Sequence, residues 1–155
     1  FNGASMSEVD AGPRLRSFIV CDDVRPELLG KFQLLGWFPG GGITIHKNSA
    51  IEGAWEPVLQ TLAIVFVLEG GNGSYPAGFA LESPSGVPIA TINMPSISLL
   101  PDGVSTVICK GGPIKIPEFG RYVARLKFGT WEFAGEIELK LGEPVKDPFK
   151  GSAQP

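Results

Sequence analysis

The chain has one histidine, two cysteines and no cluster of basic residues. A single His removes the zinc sites built on the usual His/Cys spacing, so no metal is expected. The two cysteines, Cys21 and Cys109, lie far apart in apolar stretches, a pattern of two buried reduced thiols rather than a disulfide. Thirteen Lys and Arg against sixteen Asp and Glu leave a net charge of −3 with no basic stripe. Phosphate therefore meets no electrostatic footprint, and no nucleic-acid partner is expected. The longest apolar run, residues 62–68, is far shorter than the roughly 20 residues of a membrane helix, so no membrane partner is expected either. No basic segment followed by an apolar one opens the chain as a signal peptide would, which makes the cytoplasm the expected compartment. G-x-S-x-G, H-E-x-x-H and P-loop patterns are absent. Gly40, Gly41 and Gly42 are not followed by a helix or a Lys-Ser/Thr pair, so they form a turn rather than a phosphate cradle. No cofactor is implied.

What the chain does have is glycine and proline, 21 and 14 of its 155 residues, nearly double the usual share of roughly 12%. Both weaken helix interiors, which excludes a helical bundle. With 10 Phe and abundant Val, Ile and Thr, the composition means strands joined by turns. The length suits one domain. Residues 1–5 (FNGAS) precede Met6 and read as an appended scar, within an irregular N-terminal segment spanning 1–14. Residues 143–155 carry three prolines and no apolar pattern and read as a flexible tail. The folded domain is expected over residues 15–142.

Strands are expected over residues 15–22, 31–38 and 43–46, the first broken by the turn at 22–26 because Pro26 restricts Arg25. Residues 57–69 hold some helical spacing, but Ile, Val and Phe followed by Gly70 and Gly71 favour a buried central strand. Asn72–Gly73 is a reverse-turn signal. Further strands are expected over 75–82, 88–100 and 104–109, with turns at 83–86 and at Asp102–Gly103. The clearest element comes last. Tyr122, Ala124, Leu126 and Phe128 alternate with charged or neutral neighbours, as do Trp131, Phe133, Ile137 and Leu139. Between the two runs lie Gly129 and Thr130, with Gly first as a type II′ turn requires. That register sets Phe128 against Trp131, Leu126 against Phe133 and Tyr122 against Ile137 on one face. On the other face it sets Lys127 against Glu132 and Arg121 against Glu138, with Arg125 diagonal to Glu136. A one-residue slip would set apolar against charged throughout.

Glu118, Gly120 and Tyr122 resemble the tyrosine corner of immunoglobulin-like domains, in which a Tyr opening a late strand bonds to backbone upstream. Together these signals predict an all-β fold, an immunoglobulin-like antiparallel β-sandwich of about seven to eight strands without the family disulfide.

The block Phe18, Ile19, Val20, Cys21, Asp22, Asp23, Val24, Arg25, followed by Gly30, Lys31, Phe32 and by Leu34, Leu35, Gly36, is similar to the opening of an uncharacterised bacterial family of small β-proteins. The resemblance covers the first quarter of the chain and, loosely, the closing hairpin. It implies a single sandwich domain in a bacterial cytoplasm, with no established activity.

Candidate functional residues are few. Asp22, Asp23 and Arg25 stand where the first strand is expected to leave the sheet. They suit a turn lock, with carboxylates accepting backbone N–H groups and Arg25 pairing with one of them, or a ligand site. Adjacent carboxylates on extended chain point apart, and no calcium-loop spacing is present. His46 falls at a strand end. Trp37 and Trp55 flank the glycine turn and could form an aromatic binding patch, or Trp55 could cover the open end of the fold. Two functions compete. One is a non-catalytic binding or assembly module that meets a protein partner, or a second copy of itself, through loops or sheet edges. The other is a small hydrolase or ligand-binding enzyme that uses Asp22, Asp23, Cys21 and His46. Convergence of those four side chains on one cleft discriminates between the two.

Overall fold

The computed structural model describes residues 12–145, so the scar expected at residues 1–5 and most of the tail expected at 143–155 lie outside the described residues. The described chain is almost entirely β-strand. Strand β1 spans Arg14–Pro26, β2 Phe32–Trp37, β3 Gly42–Ile45, β4 Val58–Leu59, β5 Leu62–Glu82, β6 Pro88–Gly111, β7 Ile114–Lys115, β8 Gly120–Phe128 and β9 Trp131–Leu141. Seven strands form one sheet in the order β2-β1-β5-β8-β9-β3, with β6 paired to β5 off that path, and β4 and β7 form a two-stranded ribbon. The strand pairings are antiparallel except one: β3 runs parallel to β9, with Ile43 beside Leu139.

The central strand differs from the sequence reading. Residues 62–69 are strand, as expected, but Asn72–Gly73 does not reverse the chain. Instead β5 runs on for 21 residues. Gly70, Gly71 and Gly73 take φ of +79°, +83° and +94°, and the pairing with β6 slips from Gly70–Leu100 to Gly73–Leu99. Glycine serves here to build a bulge, which bends a strand without ending it. Asp102–Gly103 is not a turn either, and lies on the bulged stretch of β6 between Leu100 and Val104. The true reversal is at Ser83, whose N–H donates to the Val87 carbonyl at 2.8 Å.

The bend folds β5 over itself. Phe66 and Phe79 would stand roughly 43 Å apart on a straight strand at about 3.3 Å per residue. Their ring centroids are 6.2 Å apart. One limb (β2, β1, the start of β5 and the end of β6) therefore faces the other (the rest of β5 and β6, with β8, β9 and β3). Phe18 of β1 reaches across, its ring 5.3 Å from Phe66 and so close to Gly135 of β9 that any Cβ there would lie 2.4 Å from it. Val20, Phe66, Leu68, Tyr122, Leu126 and Ile137 fill the core between the limbs. The uninterrupted apolar run of β5 has a reason: its alternate residues Ala63 and Val65 join Cys21 and Val24 in a second buried cluster.

The β8–β9 hairpin has the expected register, Phe128 against Trp131, Leu126 against Phe133 and Tyr122 against Ile137. Gly129 has φ +55° and Thr130 does not have positive φ, as a type II′ turn demands. The Tyr122 ring is fully buried and its hydroxyl donates to the Glu118 carbonyl at 2.5 Å. The outer charges pair partly otherwise than expected. Lys127 meets Glu132 at 3.2 Å, but Arg121 reaches the diagonal Glu136 at 3.4 Å rather than Glu138 opposite it. Arg125 bonds Glu82 of β5 at 2.9 Å and Glu132 at 3.6 Å, not Glu136. Long side chains choose among diagonal neighbours that strand register alone leaves open.

Past β9, the Gly142 N–H donates to the Ile45 carbonyl and the Val145 N–H to the Lys47 carbonyl, both at 2.9 Å. The paired chain thus extends to residue 145.

Candidate functional site: the β1–β2 hairpin and its groove

The break expected at residues 22–26 does not occur: β1 continues as strand through Pro26. Pro26 is tolerated because of where it falls in the ladder. The Glu27 N–H donates to the Lys31 carbonyl at 2.8 Å, and bonded and non-bonded pairs alternate in an antiparallel ladder. Pro26–Phe32 and Val24–Leu34 are therefore non-bonded pairs, and proline forfeits nothing. β1 also outruns its neighbour, since its pairing with β5 ends at Cys21–Ala63. Beyond Cys21, β1 continues with β2 as a two-stranded arm whose base is held by Val24, buried with Cys21, Ala63 and Val65.

Asp23 anchors that arm. Its Oδ1 accepts from the Val24 N–H at 2.8 Å and from Lys110 Nζ of β6 at 3.2 Å, and its Oδ2 accepts from Arg25 Nε at 3.3 Å. Lys110 Nζ also donates to the Val24 carbonyl at 2.9 Å. The hydrogen bond from Lys110, with those from Val24 and Arg25, holds the Asp23 carboxyl below its usual range. The cluster is a lock, but on a strand rather than a turn, and its third member, Lys110, lies too far along the sequence to be read from it. Asp22, the next residue along extended chain, is exposed and takes no part in these bonds.

Cys21 is fully buried, and its thiol donates to the Asp23 carbonyl at 3.5 Å. Burial, reinforced by the charges of Asp22 and Asp23, pushes the thiol pKa up, the opposite of an activated nucleophile. Cys109 is pushed up to about 12 by burial alone. The two thiols are free and belong to different clusters, Cys109 to the main core and Cys21 to the second one. His46 lies beyond β3. Its Nδ1 is 2.8 Å from the Glu143 carbonyl oxygen, and its ring fills the space a Cβ of Gly142 would occupy. Among the described residues no hydrogen bond or ion pair joins His46 to Cys21, Asp22 or Asp23, and no three His, Cys, Asp or Glu side chains group as a metal site. No helix among the described residues is long and apolar enough to cross a membrane.

Trp37 lines a concavity. A groove of about 760 Å³ runs beside it, lined by Phe18, Ile19, Leu34, Phe38 and Glu136 among others. Trp55 is half-buried in the stretch between β3 and β4 and does not reach that groove. The surface around Trp37 was not legible in the sequence. Phe32, Leu34 and Trp37 are exposed on β2, and Leu28 and Leu29 are more so at the arm's tip. The run FQLLGW is apolar on both faces, which ordinarily marks a central strand. Only the sheet order shows that it forms an edge.

No family model matches the chain, and no curated protein matches it. Among solved structures it is similar to the crystal structure of the C-terminal domain of wzt, at a TM-score of 0.46 and 13% identity, over 87% of this chain and 76% of that one.

Proposed function

We propose that the chain is a non-catalytic binding and assembly module of the bacterial cytoplasm, an immunoglobulin-like antiparallel β-sandwich that meets a protein partner along the β2 edge. The observation that carries this reading is the apolar arm: Leu28, Leu29, Phe32, Leu34 and Trp37 are all exposed on one hairpin. Contiguous exposed apolar surface of this kind marks interaction sites. Leu29 adds to it. It takes φ +64°, a conformation costly for a branched residue, while its side chain stands in solvent. The sandwich reading draws on the facing limbs and on the Tyr122–Glu118 bond at the head of β8. A non-catalytic role suits a Cys21 thiol that is buried and raised in pKa, and a His46 spent on backbone.

A photo-crosslinking residue placed at Leu34, in the full chain expressed in bacterial cells, tests the reading. Discrete protein adducts are expected from position 34 and none from Glu138, on the charged face of β9. Absence of any discrete adduct at 34 would refute it.

A further inference from the structure

The β2 strand offers more than apolar area. Because Pro26–Phe32 and Val24–Leu34 are the non-bonded pairs of the β1–β2 ladder, the amide and carbonyl groups of Phe32 and Leu34 point away from β1. They face an edge that carries neither charge nor proline from Phe32 to Trp37. Unpaired backbone in that state is a template for another strand. The two ends of the strand are also complementary. The tip, Leu28 and Leu29, lies at one end as a knob, 85% and 96% exposed. The groove beside Trp37 and Phe38 lies at the other as a hole.

We infer that the partner is a second copy of this chain, paired β2 to β2 in antiparallel fashion about a two-fold axis at Leu34. This rests on the reading of β2 as a protein-docking edge and names its occupant. Antiparallel pairing about that axis sets each tip beside the other copy's groove: Leu29 falls opposite the partner's Pro39 and Leu28 opposite the partner's Gly40. The same register sets Lys31 against the partner's Trp37, a cation beside an aromatic ring, and Phe32 against the partner's Gly36. Knob and hole exchange twice, as a self-complementary contact requires. The area suffices. Leu28, Leu29, Phe32, Leu34 and Trp37, from 41% to 96% exposed, present apolar surface on the order of the roughly 800 Å² per partner of a standard interface.

Sedimentation of the purified full chain up to about 200 μM should show a monomer–dimer equilibrium. Leu34→Lys should abolish it and Leu29→Ser should weaken it by about tenfold or more, whereas Leu100→Ser, an exposed site on β6, should leave it unchanged. Leu34→Cys gives an independent reading. A two-fold axis at Leu34 makes it a bonded pair with Cα atoms about 5.5 Å apart, within disulfide reach. Since Cys21 and Cys109 are buried, oxidised glutathione should yield a covalent dimer from Leu34→Cys and none from Leu100→Cys. A monomer at every concentration, or a dimer that survives Leu34→Lys, overturns the pairing. If the chain is monomeric and crosslinks at position 34 to a different protein, the pairing fails and the docking edge stands. If it is monomeric and gives no adduct, both fail.

Discussion

Along β6, the open edge of both limbs, Pro88 opens the strand, Pro95 and Pro101 interrupt its ladder, and a three-residue bulge falls where Leu100 and Val104 are exposed. Along β2 there is neither proline nor charge, and its pairing with β1 runs unbroken from Phe32 to Leu35, interrupted only at Gly36, which takes φ +65°. Both strands belong to the same sheet and carry exposed apolar residues. Proline and bulges are the devices by which sheet edges avoid association. Proline and a bulge stand on the long edge and not on the short one, so β2 keeps the backbone template that β6 lacks. The arm is also fastened differently. β6 is held to β5 along its length, whereas the arm is held at its base, by Val24 buried with Ala63 and Val65 and by Lys110, which bonds Asp23 and the Val24 carbonyl.

The comparison is only meaningful if both edges sit on one cooperative body. Phe66→Ala tests that most severely. The ring is fully buried between Phe18 and Phe79, on opposite limbs. Its loss should cost about 3–5 kcal/mol in a urea melt, with a single transition seen by both fluorescence and far-UV circular dichroism. Two separate transitions would mean that the limbs, and so the two edges, fold independently. Tyr122→Phe should cost less, about 1–3 kcal/mol, because it orphans the Glu118 carbonyl but keeps the ring in place. Arg125→Ala, on the charged face, should cost less again. Equal losses would remove the corner from the account of β8.

How much of this was legible follows from which interactions are local. The β8–β9 hairpin was, because Gly129 fixes the turn and the alternation on both sides permits one register. Tyr122 was legible because its partner is four residues upstream. Asn72–Gly73 and Asp102–Gly103 misled because a glycine pair permits positive φ but does not say whether the chain then reverses or continues. That was decided by β5 and β6 matching each other on both sides of the bulge. Asp23 was found without Lys110, which lies on another strand. The arm was missed because apolar residues on both faces of residues 32–37 look like interior sequence, and burial depends on neighbours that the strand does not encode.

The edges can be exchanged. Leu34→Lys gives β2 the charge it lacks, and with Leu34 already exposed the monomer's stability should stay within about 0.5 kcal/mol of wild type. Replacing Pro88, Pro95 and Pro101 together by Thr removes the guards of β6. Light scattering should then show growth beyond dimers, since β6 would add a second pairing edge to each copy. If the triple variant stays at the wild-type size, the prolines serve local conformation and do not guard the edge.

The smallest effect expected is at the arm's anchor, where the sign of its pH dependence is diagnostic. The Asp23 carboxyl is held below its usual value chiefly by the hydrogen bond from Lys110. In the unfolded chain it returns to about 3.9. A carboxyl whose folded pKa is depressed contributes stability that is fully present above its unfolded value and is lost as pH falls through the folded one. Asp23→Asn cannot carry the charge, so it should be less stable than wild type at neutral pH. The gap should hold down to about pH 4 and close below it as the wild-type carboxyl takes up its proton. Urea melts of both proteins from neutral pH to about pH 2 read this directly. Hydrogen exchange at Phe32 and Leu34 gives the local counterpart, with faster exchange in the variant if Lys110 steadies the arm. A gap that persists unchanged into strong acid would show that Asp23 acts through its bond to the Val24 N–H, which Asn can replace only in part, and that the arm is not steadied by charge.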